Sequence, residues 1–227
     1  MEQAIALLEP LLLPRRIQRM REVLATRSDH VAFVFERMVD PHNLSAVLRS
    51  LDAISFQDVY LMAPQERVVL SRAITQGTER WLSVQSHEDP AACLAVLRER
   101  GYRIYASHVA PDRGLPLQAL DVSRPLALVF GNEHGGVSDA VLAQADETFH
   151  IPMHGFVESL NLSVAAAISA HHLRERMDAL AAASPDAARF LLPPARQRAL
   201  YARWLYQSVR HAERILAEAG CDWAPAD

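Results

Sequence analysis

The 227-residue chain contains no lysine: all 23 of its basic residues are arginine. Without lysine, the phosphate cradle G-x-x-x-x-G-K-[ST] cannot occur. Glycine is scarce, eight residues in all, and no G-x-G-x-x-G follows a strand-like segment, which excludes the common dinucleotide-binding turn. There is no G-x-S-x-G either, so Ser159 is a poor candidate for a hydrolase nucleophile. The two cysteines, Cys93 and Cys221, lie far apart and outside any C-x-x-C or Cys/His cluster. The expectation is a reduced, cytoplasmic protein without a structural metal. His42, His134, His171 and His172 lack metal-ligand spacing, so no metal is expected. No apolar run approaches the ~20 residues that span a bilayer. The N-terminal stretch MEQAIALLEPLLLPRR places Glu2 and Glu9 within the apolar run and its arginines after it, the reverse of a secretory signal.

Half of the residues are hydrophobic, sufficient for a large core and against global disorder. The length suits one generous α/β domain, or a domain of about 150–170 residues with helical additions. A net charge of −4 argues mildly against nucleic acid, but its distribution points the other way. Arg15, Arg16, Arg19, Arg21 and Arg27 fall in the first 30 residues, and eight more arginines follow residue 170. The planar guanidinium fork suits phosphates and base edges, so two arginine-rich arms around an acidic middle read as an RNA-gripping arrangement. The alternative is ordinary solvated helix faces with arginine used in place of lysine.

Apolar patterning alternates strands with helices. Strands are expected at 31–35, 58–62, 81–85, 102–107, 125–130 and 147–151. Helices are expected at 14–25, 44–54, 89–100 with Gly101 beyond the end, 139–145 behind the cap Ser138, and about 160–180. The 181–196 stretch reads as a proline-bearing linker, and 196–219 as one last helix. Such alternation means a mostly parallel sheet covered on both faces.

Three loops, each after a strand-like segment, stand out. In D-P-H-N-L-S-A-V-L-R (40–49), Asp40 and Pro41 set a turn, and Arg49 lies roughly 9 Å along the helix from Asn43. On that stretch alone, Asn43 reads as a helix cap and Arg49 as a solvated side chain. F-G-N-E-H-G-G (130–136) is a tight loop carrying Glu133; the bland reading is a generic strand–helix turn. In I-P-M-H-G-F-V-E-S-L-N-L-S (151–163), Ser159, Asn161 and Ser163 crowd a helix N-terminus, which alone would be an overlong cap. Together the three are unusually dense in Gly, Asn, Ser, Glu and Arg, at the strand ends where α/β proteins bind ligands.

In order and content these segments resemble the three motifs of the SpoU (TrmH-type) RNA 2′-O-ribose methyltransferases of the SPOUT superfamily: N-L-S-A-V-L-R at 43–49, V-F-G-N-E-H-G-G at 129–136, and I-P-M-H-G-F-V-E-S-L-N-L-S-V-A-A-A at 151–167. The basic N-terminal helix and the C-terminal helix with Trp204 extend the likeness over nearly the whole chain, toward the branch that methylates guanosine 18 in the tRNA D-loop. The resemblance implies an α/β fold, a mostly parallel sheet flanked by helices with a C-terminal trefoil knot, working as a homodimer. It implies an N-terminal arm over 1–28, the SPOUT domain over 29–180, and a C-terminal linker and helix over 181–227. S-adenosylmethionine would be held by Ser107, Gly131, Asn132, Ile151, Met153 and Leu160. Arg49 would act on the ribose 2′-hydroxyl, with Asn43, Glu133, Ser159 and Asn161 orienting the site. Guanidinium hardly ever loses its proton, so binding a neighbouring phosphate or the forming alkoxide suits Arg49 better than acting as a base. Arg15, Arg16, Arg19, His42, Arg174 and Arg176 would contact tRNA. Two alternatives stay open: the same chemistry on ribosomal RNA or another tRNA position, and an RNA-binding protein that has lost transfer.

Overall fold

The computed structural model describes residues 1–38, 40–62, 77–109, 114–132 and 135–225. Contacts divide the chain into two compact units, Ser28–Phe190 and a second made from both chain ends, Met1–Arg27 with Leu191–Asp227.

The larger unit holds a seven-stranded sheet. In chain order its elements are β1 (Ser28–Glu36), α-helix Pro41–Ala53, β2 (Phe56–Met62), β3 (Ser83–His87), α-helix Pro90–Glu99, β4 (Arg103–Ser107), β5 (Leu115–Pro116), β6 (Leu126–Phe130), α-helix Asp139–Leu142, β7 (Glu147–His150) and α-helix Leu162–Ala182. The strand order is β3-β2-β1-β6-β4-β7-β5, and every paired strand runs parallel. A parallel sheet has helices on both faces, so its strands are apolar on both sides rather than alternating. Here Val31, Phe33, Phe35, Leu126, Leu128 and Phe130 pack with Leu44, Val47, Leu48 and Leu51 of one helix and Ala166, Ala170, Leu173 and Met177 of another. The opposite face joins Ala32, Val34, Ala127, Val129 and Ile104 to Cys93, Leu94 and Leu97. Phe130 ties the centre together, stacked on Phe35 at 5.6 Å and edge-on to Phe149 at 5.7 Å, geometries aromatic quadrupoles favour.

Several boundaries differ from the sequence expectation for identifiable reasons. The helix expected at 44–54 starts at Pro41, because the Asp40 carboxylate caps it by accepting from the His42 N–H at 2.8 Å and proline suits the first helical position. Asn43 is therefore inside the first turn and is not the cap. Strand β3 lies two residues later than expected, and β5, only two residues long, carries too little pattern to read. Ser138 caps its short helix, accepting from the Val141 N–H at 3.4 Å. Gly101 follows the helix Pro90–Glu99 at φ +80°, as expected of a residue just past a helix end.

The smaller unit is helical: Glu2–Leu8, Pro14–Thr26, Pro194–Ser208 and Ala212–Glu218. The single helix expected at 196–219 is two, because Val209 is extended and His211 takes a left-handed conformation at φ +58°. Histidine is not an ordinary helix breaker, so nothing in the pattern signalled the break. Helix Glu2–Leu8 was not expected either; seven residues are too few to show periodicity, yet Ala4, Ile5 and Leu8 are buried. Tyr201 donates its hydroxyl to Glu9 at 2.7 Å, and Arg21 pairs with the other Glu9 oxygen at 2.7 Å. Arg27 is fully buried, its guanidinium 5.6 Å from the centre of the Trp204 ring. It belongs to the interior of this unit and not to an RNA-facing arm.

Among the described residues, no helix is long and apolar enough to cross a membrane, and no group of His, Cys, Asp or Glu could hold a metal ion. Both cysteines are free and buried, and burial pushes the Cys93 thiol up to about 12.

Candidate functional site

In a parallel sheet all carboxyl ends lie on one edge, which is where α/β proteins bind ligands. The adjacent strands β6, β4 and β7 end there at Phe130, Ser107 and His150. Beyond them opens a cavity of about 740 Å³, closed by the loop after β6 and by the segment between β7 and the helix Leu162–Ala182. Its lining includes all six positions expected to hold a cofactor: Ser107, Gly131, Asn132, Ile151, Met153 and Leu160. Ser159 and Asn161 line it too.

Backbone dominates this wall because side chains do not fit. A Cβ on Gly131 would overlap the backbone carbonyl of Gly136, so only glycine allows the loop to fold back on itself. The loop is held in that shape by Asn132: its Oδ1 accepts from the Gly135 N–H at 2.6 Å and its carbonyl from the Gly136 N–H at 3.1 Å. Gly136 sits at φ +63°, the left-handed region glycine enters without strain.

The other wall turns on Asn161. It is the N-cap of the helix Leu162–Ala182, its Oδ1 accepting from the Ser163 N–H at 2.8 Å and the Ser163 hydroxyl at 2.6 Å. Its amide nitrogen donates to Asn43 Oδ1 at 3.1 Å. One side chain thus satisfies an orphan donor of its own helix and joins the start of the helix Pro41–Ala53. Of the polar cluster at 159–163, the capping group is the asparagine; Ser163 is capped, and Ser159 is left facing the cavity.

The remaining expected site residues separate. Arg49 is exposed on the helix Pro41–Ala53, outside the cavity lining. Glu133 lies outside the described residues. His42 is exposed at the start of its helix. Arg15, Arg16 and Arg19 are exposed on the helix Pro14–Thr26 of the terminal unit, Arg19 within 3.7 Å of Glu22 and Arg16 donating to Ser208 at 3.4 Å. Arg174 and Arg176 are half-buried, Arg174 pairing with Asp178 at 3.0 Å. Beside Arg176, His172 is held below the ordinary histidine range, chiefly by burial and then by the Arg176 charge.

Sequence reasoning missed several groups around the cavity. His108, Asp139, His150 and Glu158 line it. The His150 ring Nδ1 is sealed from solvent with no hydrogen-bond partner among the described residues. Glu158 stood inside the quoted third motif and could have been singled out there. His108 and His150 adjoin strand ends, and nothing local distinguishes them.

A profile described as the SpoU rRNA Methylase family matches residues 30–171. The chain is 37% identical over 153 residues to the tRNA (guanosine(18)-2′-O)-methyltransferase of Thermus thermophilus, covering 67% of this chain and 78% of that one. It is 33% identical over 167 residues to the Escherichia coli protein of the same name, covering 73% and 72%. The solved structure of the TrmH/SpoU tRNA modifying enzyme from Aquifex aeolicus matches with a TM-score of 0.76 at 28% identity, covering 86% of this chain and 98% of that one.

Proposed function

Because the chain belongs to the SpoU rRNA Methylase family, we propose that it transfers a methyl group from S-adenosylmethionine to the ribose 2′-hydroxyl of guanosine 18 in the D-loop of tRNA. The observation that carries this reading is the cavity at the ends of β4, β6 and β7, lined by all six expected cofactor positions and bordered by the Asn161–Asn43 bridge. The relatives named for guanosine 18 support tRNA over ribosomal RNA as substrate.

The residues fit the cofactor. Gly131, with no room for a Cβ, and the main chain at 151 and 160 suit a flat adenine and an extended methionine chain. Once bound, S-adenosylmethionine supplies an electrophilic methyl group. The remaining work falls to the chain. Ser159 and Asn161 orient the ribose at the cavity mouth, and Asn43 holds Asn161 in place. A ribose hydroxyl becomes a competent nucleophile as its proton departs. The Arg49 guanidinium, always charged, stabilises that negative charge directly or binds the neighbouring phosphate that receives the proton. Glu133 joins the orienting set in this reading.

Arg15, Arg16, Arg19 and His42, with the half-buried Arg174 and Arg176, form the proposed phosphate contacts, which fix position without reading sequence. The arms over 1–28 and 181–227 serve the RNA, and the domain over 29–180 carries the chemistry together with the contacts from His42, Arg174 and Arg176, with a trefoil knot formed where the backbone crowds round Gly131. A homodimer completes the reading. Val164 and Ile168, one helical turn apart, and the neighbouring Phe156 and Val157 are exposed, an apolar surface suited to a second copy. A cytoplasmic location fits a tRNA substrate and is part of this reading.

The deciding experiment uses labelled S-adenosylmethionine with two tRNA transcripts, one carrying 2′-deoxyguanosine at position 18. Label is expected in the ribose transcript alone. Equal incorporation into both, or transfer to ribosomal RNA only, overturns the assignment. Sedimentation of the purified chain as a monomer overturns the dimer.

A further inference from the structure

Glu36 has no place in the reading so far, yet it is a carboxylate only 2% exposed at the end of central strand β1. Burying a carboxylate is costly unless strong partners compensate. Its Oε2 accepts the backbone N–H of Ser138 at 2.8 Å, across 102 residues of sequence, and its Oε1 faces the Arg37 Nε at 3.6 Å. A hydrogen bond to an ionised acceptor is short, strong and directional, so this contact fixes a position and does more than fill space.

Both ends of the contact border the site. Ser138 follows the loop that closes the cavity, and its neighbours Val137 and Asp139 both line it. Glu36 is the last residue of β1 before the chain turns: Arg37 is left-handed at φ +51°, and its N–H donates to the Met62 carbonyl at 2.8 Å. The helix bearing Asn43 and Arg49 begins at Pro41. One buried carboxylate therefore joins the exit of the cofactor loop to the end of β1, a few residues before the helix whose first turn also carries the Asn161–Asn43 bridge.

We propose that Glu36 is a positioning residue that holds residues 135–138 in register with the end of β1, which leads toward the helix Pro41–Ala53, so that cofactor pocket and acceptor side share one alignment. The inference deepens the methyl-transfer reading and rests on it for its activity arm only. Glu36→Gln keeps an acceptor for the Ser138 N–H. Glu36→Met keeps the volume but removes the acceptor and leaves the Ser138 N–H unpaired, which lowers stability as well. A partner pair probes the other side: Ser138→Ala keeps the donor, whereas Ser138→Pro, at a position with φ −66° that suits proline, deletes it.

The measurements are thermal melting, calorimetric titration with S-adenosylmethionine, hydrogen exchange at residues 136–141, and methyl transfer to tRNA. Glu36→Met is expected to melt below wild type but stay folded at the assay temperature, and to bind S-adenosylmethionine about tenfold more weakly, with faster exchange at the Ser138 amide. Glu36→Gln and Ser138→Ala should stay within about threefold of wild type, and Ser138→Pro should follow Glu36→Met. Glu36→Met or Ser138→Pro binding as tightly as wild type overturns the proposal, as does loss of binding in Glu36→Gln equal to that in Glu36→Met. A wild-type protein that binds cofactor but transfers no methyl to any RNA sinks the functional reading instead, and leaves the binding and exchange arms to decide Glu36.

Discussion

The two compact units differ most in charge. The terminal unit carries ten arginines against seven acidic residues, a net of +3, while the sheet unit carries thirteen against twenty, a net of −7. The whole-chain value of −4 averages two fields of opposite sign. Association with a polyanion depends on the local potential, which is screened within about 8–10 Å at ordinary ionic strength. A mildly acidic chain can therefore present a basic surface, and the sheet unit can keep an acidic cavity suited to a cationic cofactor. The arginines of the terminal unit also divide among themselves. Arg27 lies beneath Trp204 and Arg21 is held by Glu9, both shaping the unit, whereas Arg15, Arg16 and Arg19 lie exposed on the helix Pro14–Thr26.

Changes at Arg49 and in the cavity lining should affect chemistry without altering RNA affinity, and changes in the arm the reverse. The largest effect is expected from Arg49→Ala, which should cut methyl transfer by roughly 10²–10³ while calorimetry still finds cofactor binding; lost binding with transfer intact at saturating cofactor would refute the role. Next is Gly131→Ala. Its Cβ has no room against Gly136, so stability should fall by about 1–3 kcal/mol, as overpacking does, with S-adenosylmethionine affinity lost alongside. An unchanged melting temperature would contradict the close approach.

In the arm, Arg15→Ala with Arg19→Ala should weaken tRNA binding and flatten its dependence on salt by about one unit of logarithmic slope per arginine, leaving cofactor affinity untouched. A salt titration indistinguishable from wild type would remove these residues from the RNA surface. The smallest effect concerns acid stability of the sheet unit. His30 is buried, its Nε2 2.9 Å from the Val122 carbonyl and its ring edge-on to Phe190 at 4.8 Å. Burial, above all, holds its pKa below the ordinary 6.5. The folded state thus prefers neutral His30, and its contribution to stability is present above about pH 6.5 and lost as pH falls below it, because the unfolded chain takes up the proton. Melting scans from pH 8 to pH 5 should show a steeper fall for wild type than for His30→Gln; parallel curves would refute the assignment.

What the sequence disclosed follows physical range. The parallel sheet was legible because strands buried on both faces read as unbroken apolar runs such as Leu126–Phe130, and long helices such as Leu162–Ala182 repeat their pattern over several turns. The cavity was legible because three motifs carry glycine and small polar groups where ordinary turns need fewer. Long-range contacts left no local mark. Asp40 followed by Pro41 is a local start signal that competes with Asn43, but nothing there tells that Asn43 instead meets a residue 118 positions away. Glu36 reads as the polar end of a strand, since its partner is a backbone N–H on the far side of the sequence. The left-handed His211 that splits the last helix is equally silent, because its conformation is set by packing and not by propensity.

The composition of the terminal unit has a consequence for synthesis. Its two halves, 1–27 and 191–227, are separated in sequence by the whole sheet unit. At roughly 5–20 residues per second, the intervening stretch takes on the order of ten to thirty seconds to emerge from the ribosome. Throughout that interval Ala4, Ile5, Leu8, Met20 and Leu24, all buried in the finished protein, lack the helix Pro194–Ser208 that completes their unit. The basic arm is thus assembled last, so a nascent or truncated chain can carry the cavity residues well before it carries the finished arm.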